Sequence, residues 1–150
     1  MTRTRTLQKE QVEAAAEVME RLRLELRPEF LGLVSTSGHL ISMAAGSSRS
    51  QDDAVASLAA SSFAATRQLA LVMEGSEFTV VFHEGNELNV HIAQVSDDVL
   101  LVICFHKATQ IGKVRLVSGR VLEALRQALA PADRPALDVI LKSGDSTDGS

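Results

Sequence analysis

Val99-Leu100-Leu101-Val102-Ile103-Cys104-Phe105 is apolar at every position. A strand with one wet face alternates polar and apolar residues, whereas a strand covered on both faces has no such need. The run therefore reads as a central strand with structure packed on either side. Upstream of it, residues 88–93 alternate Leu88, Val90 and Ile92 with Asn89 and His91, and residues 78–83 form another strand. Gly85-Asn86 is the turn between those two, and Ser96-Asp97-Asp98 is the turn into the apolar run. Nearer the N-terminus, residues 30–34 and 40–44 flank a Ser37-Gly38 turn and read as a separate hairpin.

Helical periodicity fills the gaps. Residues 7–27 carry a stripe of Val12, Ala15, Met19, Leu22 and Leu26, and Pro28 ends that helix. Residues 111–129 carry Val114, Val117, Val121, Leu125 and Leu129 at helical spacing. Between the hairpins, a polar loop at 46–51 leads to a helix over 52–73, capped by Asp52 or Asp53 and closed by Gly75. Its centre, Ala56-Ser57-Leu58-Ala59-Ala60-Ser61-Ser62-Phe63-Ala64-Ala65, is almost wholly small. One face, with Val55, Leu58, Ser62, Ala65, Leu69, Val72 and Met73, is expected to lie on the sheet. The opposite face carries Ala56, Ala60, Ala64 and Leu71, flanked by Phe63 and edged by Arg67 and Gln68. A helix apolar on both sides has a second surface to bury against. The order α-β-β-α-β-β-β-α makes an α/β (α+β) domain over residues 1–130. Beyond it, 131–150 reads as a Pro-containing linker, a stub at 136–141 that could form one or two helical turns, and an acidic, disorder-like end.

A chain of 150 residues fits one domain, and with no Trp or Tyr and five Phe its core must be aliphatic. The net charge of −4 and the lack of a basic stripe interleaved with aromatics argue against a nucleic-acid partner. The longest apolar run falls far short of a span of about 20 residues, so no membrane insertion is expected. The single cysteine and the absence of a signal-peptide pattern fit a cytoplasmic protein.

Catalytic chemistry is not written into the residues. Gly112-Lys113 lacks both the glycine five residues earlier and the following Ser or Thr that a phosphate loop requires, those places holding Lys107 and Val114. Cys104 sits in the most apolar strand, where a thiol is packing rather than a nucleophile. Strand parity places His83 and His91 on opposite sheet faces, and His39 and His106 have no ligand-spaced neighbours, so neither metal nor cofactor is expected. Arg49, on the loop, reads either as a solvated surface residue or as one that could stabilise charge in a partner's phosphoryl-transfer site.

Several strings, in this order and spacing, resemble the Roadblock family, the dynein light-chain roadblock type. They are Gly38-His39-Leu40-Ile41-Ser42, the small helix from Leu58 to Ala65, Phe82-His83-Glu84-Gly85, and the apolar run leading to Ile111-Gly112-Lys113-Val114-Arg115-Leu116. Within that family the chain is most similar to the MglB branch, bacterial partners of the Ras-like gliding-motility GTPase MglA. The resemblance implies a five-stranded, mostly antiparallel sheet with helices on both faces. It implies a homodimer paired through the third strands (Phe78, Val80, Phe82). It also implies a single small GTPase docked across the paired small helices (Ala56, Ala60, Phe63, Ala64, Arg67, Gln68, Leu71). Such a protein is a GTPase-activating regulator in polarity or motility and not itself an enzyme. The alternative is a scaffold dimer tethering a signalling or motor protein. The family's partner-facing helix tends to be small where this chain has Arg67 and Gln68.

Overall fold

The computed structural model describes residues 6–46, 48–75 and 79–130, without the side chains of residues 49 and 50. Among the described residues three helices, α1 (Lys9–Leu26), α2 (Arg49–Glu74) and α3 (Ile111–Ala128), accompany five strands. The strands are β1 (Phe30–Ser35), β2 (Leu40–Ala45), β3 (Val80–Glu84), β4 (Leu88–Ser96) and β5 (Val99–His106). They form one antiparallel sheet in the order β2-β1-β5-β4-β3. The uninterrupted apolar run is its central strand.

Alternation along β5 divides the core in two. Val99, Leu101, Ile103 and Phe105 point to α1 and α3, where they meet Met19, Leu22, Val114, Val117 and Leu125. Leu100 and Val102 point the other way, to Ala56, Ala59, Ala60 and Phe63 of α2. Gln11 locks the first layer: its Oε1 accepts from the Gln8 amide at 2.7 Å while its Nε2 donates to the carbonyls of Leu129 and Ala130 at 3.3 and 2.5 Å. The beginning of α1 is thereby tied to the end of α3.

The structure alters three expectations about where elements begin and how they pair. α2 starts at Arg49, inside the expected loop, because Ser48 acts as its N-cap and accepts from the Gln51 amide at 3.4 Å; Asp52 is instead buried. β3 begins at Val80, and the Phe78 position lies outside the described residues. Its pairing with β4 is offset from a two-residue hairpin: Val81 faces Ile92 and His83 faces Val90. The turn is longer because Glu84 still pairs with Asn89, whose side-chain oxygen then accepts from the Gly85 amide at 3.2 Å. The opposition of His83 and His91 survives this shift. His83 meets Ser62 of α2 at 3.2 Å, and His91 meets Ser118 of α3 at the same distance.

Candidate functional site

The two faces of α2 are exchanged relative to the sequence expectation. Ala56, Ala60 and Phe63 are core, at 0%, 5% and 2% exposure, together with Ala59. They cannot be the outer surface of this helix. Leu58, Leu69, Val72 and Met73, expected on the sheet, are exposed, Val72 by 81%. The physical reason is distance. Small side chains let the helix axis approach a sheet already filled by Phe30, Val34, Ile92, Leu100 and Val102. The first hairpin closes in as well: Gly38, at φ 98°, would bring a Cβ to within 3.4 Å of the Ser57 Cα. Gly32 leaves room for the Phe30 ring beneath the helix, since a Cβ there would stand 3.0 Å from that ring.

The outer stripe recurs at helical spacing: Leu58, Ser62, Ala65, Leu69, Val72 and Met73. Leu58, Leu69, Val72 and Met73 are its large apolar members, and no described residue of the protomer covers them. Of the remaining residues expected to meet a partner, Ala64 and Gln68 are exposed, and Arg67 and Leu71 are half-buried at the edge of the helix. By length and composition alone, Gln51–Glu74 is apolar enough to cross a membrane. Here one side of the segment is committed to the sheet, which makes its other side an uncovered surface of a folded domain.

Beside this stripe the sheet is incompletely covered. Val90 and Cys104 are half-buried, and His83 of β3 is exposed. Burial raises the Cys104 thiol to about 11, so it stays protonated and inert. β3 is the last strand of the sheet, and among the described residues its outer edge pairs with no other strand. Val80 and Phe82 project from it toward α3, Val80 exposed by 44% and Phe82 half-buried with its ring centroid 6.2 Å from that of Phe105. An unpaired edge next to an apolar helical stripe is a surface shaped for association.

A wide cleft of about 680 Å³ at the start of α2 is lined by Gly38, His39, Leu40, Ser48, Asp52 and Asp53. Among the described residues no group of three His, Cys, Asp or Glu side chains is placed to share a metal ion. The expected role of Arg49 depends on a side chain outside the described residues.

The Roadblock/LC7 domain description matches residues 15–105, which run from within α1 through β1, β2, the whole of α2, β3 and β4 to all but the last residue of β5. The chain belongs to the Roadblock/LC7 family. Among solved structures, it is similar to an MglB in a tetrameric arrangement: 26% identity over 86% of this chain and 97% of that one, with a TM-score of 0.76. The gliding protein MglB of Thermus thermophilus is 25% identical over 86% of this chain and 98% of its own, also at 0.76. Myxococcus xanthus MglB is 31% identical over 75% and 92%, at 0.70. No curated protein sequence matches the chain. The Roadblock fold and the likeness to MglB thus agree with the element order read from the sequence, and an MglB-like protein of this family is a regulator or adaptor.

Proposed function

We propose that this Roadblock protein is a homodimeric, cytoplasmic regulator of a small Ras-like GTPase, raising its GTP turnover without performing the hydrolysis itself. The observation that carries this reading is the uncovered apolar stripe on α2, Leu58–Leu69–Val72–Met73, beside the open edge of β3. Two copies joined at β3 through Val80 and Phe82 would continue the sheet and bring two α2 helices together over the half-covered Val90 and Cys104. Part of each stripe would be buried between the copies, and the rest would remain as a platform for the GTPase. Ala64, Gln68, Leu71 and the half-buried Arg67 lie along that platform's flank. Ala56, Ala60 and Phe63 serve it from below by setting the helix height.

Such a platform works by holding the GTPase's own switch loops in a hydrolysis-competent arrangement, which supplies positioning rather than new chemical groups. Gln68 and Arg67 add polar contacts where a smooth surface would have none, and so select the partner. The test is GTP turnover by a Ras-like GTPase encoded beside this gene, with and without the protein. Stimulation by the native chain and its loss in Leu69→Asp are expected. Binding without any change in turnover would replace the regulator with a scaffold.

A further inference from the structure

The sheet has a second open edge. β2 is its other outermost strand, and among the described residues the side of β2 turned away from β1 pairs with no strand. Edge strands are commonly guarded against stray pairing by a charge or a proline of their own. Leu40-Ile41-Ser42-Met43-Ala44-Ala45 carries neither. The β1–β2 ladder is irregular at two points: Leu31 pairs with Ala45 but Gly32 with Met43, and Leu33 pairs with Ser42 but Val34 with Leu40. Each irregularity leaves one residue of β2 over, Ala44 and Ile41, and such residues re-aim their neighbours. Leu40 and Met43 thus border the α2 side of the sheet, while Ile41, Ala44 and Ala45 pack against the α1 layer.

A recess opens on each face of this strand. On the α2 face, the cleft of about 680 Å³ lies between Leu40 and Met43 of β2 and Asp52 and Asp53 of α2, with Asp53 exposed. On the α1 face, a recess of about 420 Å³ is lined by Ala45 and by Arg23, Leu24, Arg27 and Pro28. Glu20 holds Arg23, 3.0 Å from its Nε, so Arg27 is the cation that this recess presents. Arg27 ends α1 at φ 49°, a backbone conformation that suits Gly better than Arg, and Leu24 beside it is 61% exposed. Both recesses reach the same end of β2, since Gly46 lines the first and Ala45 the second.

An added strand fits this arrangement: its backbone pairs with the open edge, and its successive side chains enter opposite recesses. We propose that β2 is the docking edge for an extended segment of a partner protein carrying adjacent opposite charges. A Lys or Arg of that segment meets Asp53, the neighbouring Asp or Glu meets Arg27, and an apolar residue two places from the cation, about 7 Å along the same face, lies toward Met43. A negative recess on one face and a positive one on the other fix the register of the incoming strand, because a slip of one residue puts both charges in the wrong recess. β2 and β3 are opposite edges of the sheet, so this docking is independent of the GTPase reading.

The experiment titrates the isotope-enriched full chain with the end-blocked peptide Thr-Thr-Val-Thr-Lys-Glu-Thr and follows amide shifts. Saturable shifts centred on Leu40–Ala45 are expected. The isomer Thr-Thr-Val-Lys-Thr-Glu-Thr, which turns both charges to one face, should bind at least about fivefold more weakly. Asp53→Lys and Arg27→Glu should each weaken the first peptide to a similar degree, and Thr-Thr-Val-Thr-Glu-Lys-Thr should recover the affinity on the double variant. No saturable shift, shifts centred on β3 or the α2 stripe, equal affinity for the isomer, or indifference to both substitutions would overturn the proposal. So would β2 shifts that grow with protein concentration in the absence of peptide, since the occupant would then be a second copy of the chain.

Discussion

Acid should weaken this fold through one residue, His91. It is buried between β4 and α3, and burial, aided by the nearby positive charge of Arg115, lowers its pKa from 6.5 to about 4. The folded state therefore holds it neutral over a range where the unfolded chain protonates it. Above pH 6.5 neither state carries the proton and stability does not respond. As pH falls below 6.5 the unfolded chain binds a proton that the native chain refuses, so stability drops until the native value near 4 is reached. With those two values the loss between pH 7 and pH 5 is about 2 kcal/mol, a large part of a small domain's margin. Urea unfolding at about pH 7, 6 and 5, at one protein concentration, measures it directly. His91→Gln, which keeps a polar group toward Ser118 and cannot titrate, should remove most of the slope. A native curve that is flat across that range, or an equal drop in His91→Gln, would refute the argument.

Four further outcomes follow from α2 and its surroundings. Ala60→Leu should destabilise the fold by about 1–3 kcal/mol, because it forces the helix away from a filled sheet; Leu69→Asp on the outer stripe should leave thermal stability of the protomer nearly unchanged while abolishing self-association in light scattering. Gly75→Ala should cost about 1 kcal/mol in chemical denaturation: the residue caps α2 at φ 74° with nothing within 4 Å of a Cβ, so the penalty is conformational alone. Cys104, its thiol raised to about 11, should react with a disulfide reagent at about pH 8 only slowly in the native protein and rapidly in urea.

The sheet was legible because its signal is redundant. The β5 run, the alternation in β4 and the Gly-containing turns each point to the same layers, and Pro28 and Gly75 close α1 and α2 where expected. The orientation of α2 was not legible, because hydrophobic periodicity treats Leu and Val as stronger evidence of burial than Ala. In α2 the ranking is inverted: the helix sits so close to the sheet that only Ala56, Ala59 and Ala60 fit beneath it, with Phe63 at the margin. The clue was present in the sequence as a run of small residues between two hairpins, but close approach on the inside and close approach to a partner leave the same mark.

The pairing of β1 with β5, from Phe30 opposite Cys104 to Ser35 opposite Val99, joins residues roughly seventy positions apart. α1-β1-β2 and β4-β5-α3 are each assembled from near neighbours, and this seam, with the α1–α3 contact above it, is what welds them. Closing so long a loop costs entropy before any contact rewards it, so the seam belongs to the late, rate-limiting part of folding. Until it closes, the apolar edges of β1 and β5 are both open. A newly made chain is then most exposed to mispairing at the strand that ends up most deeply buried.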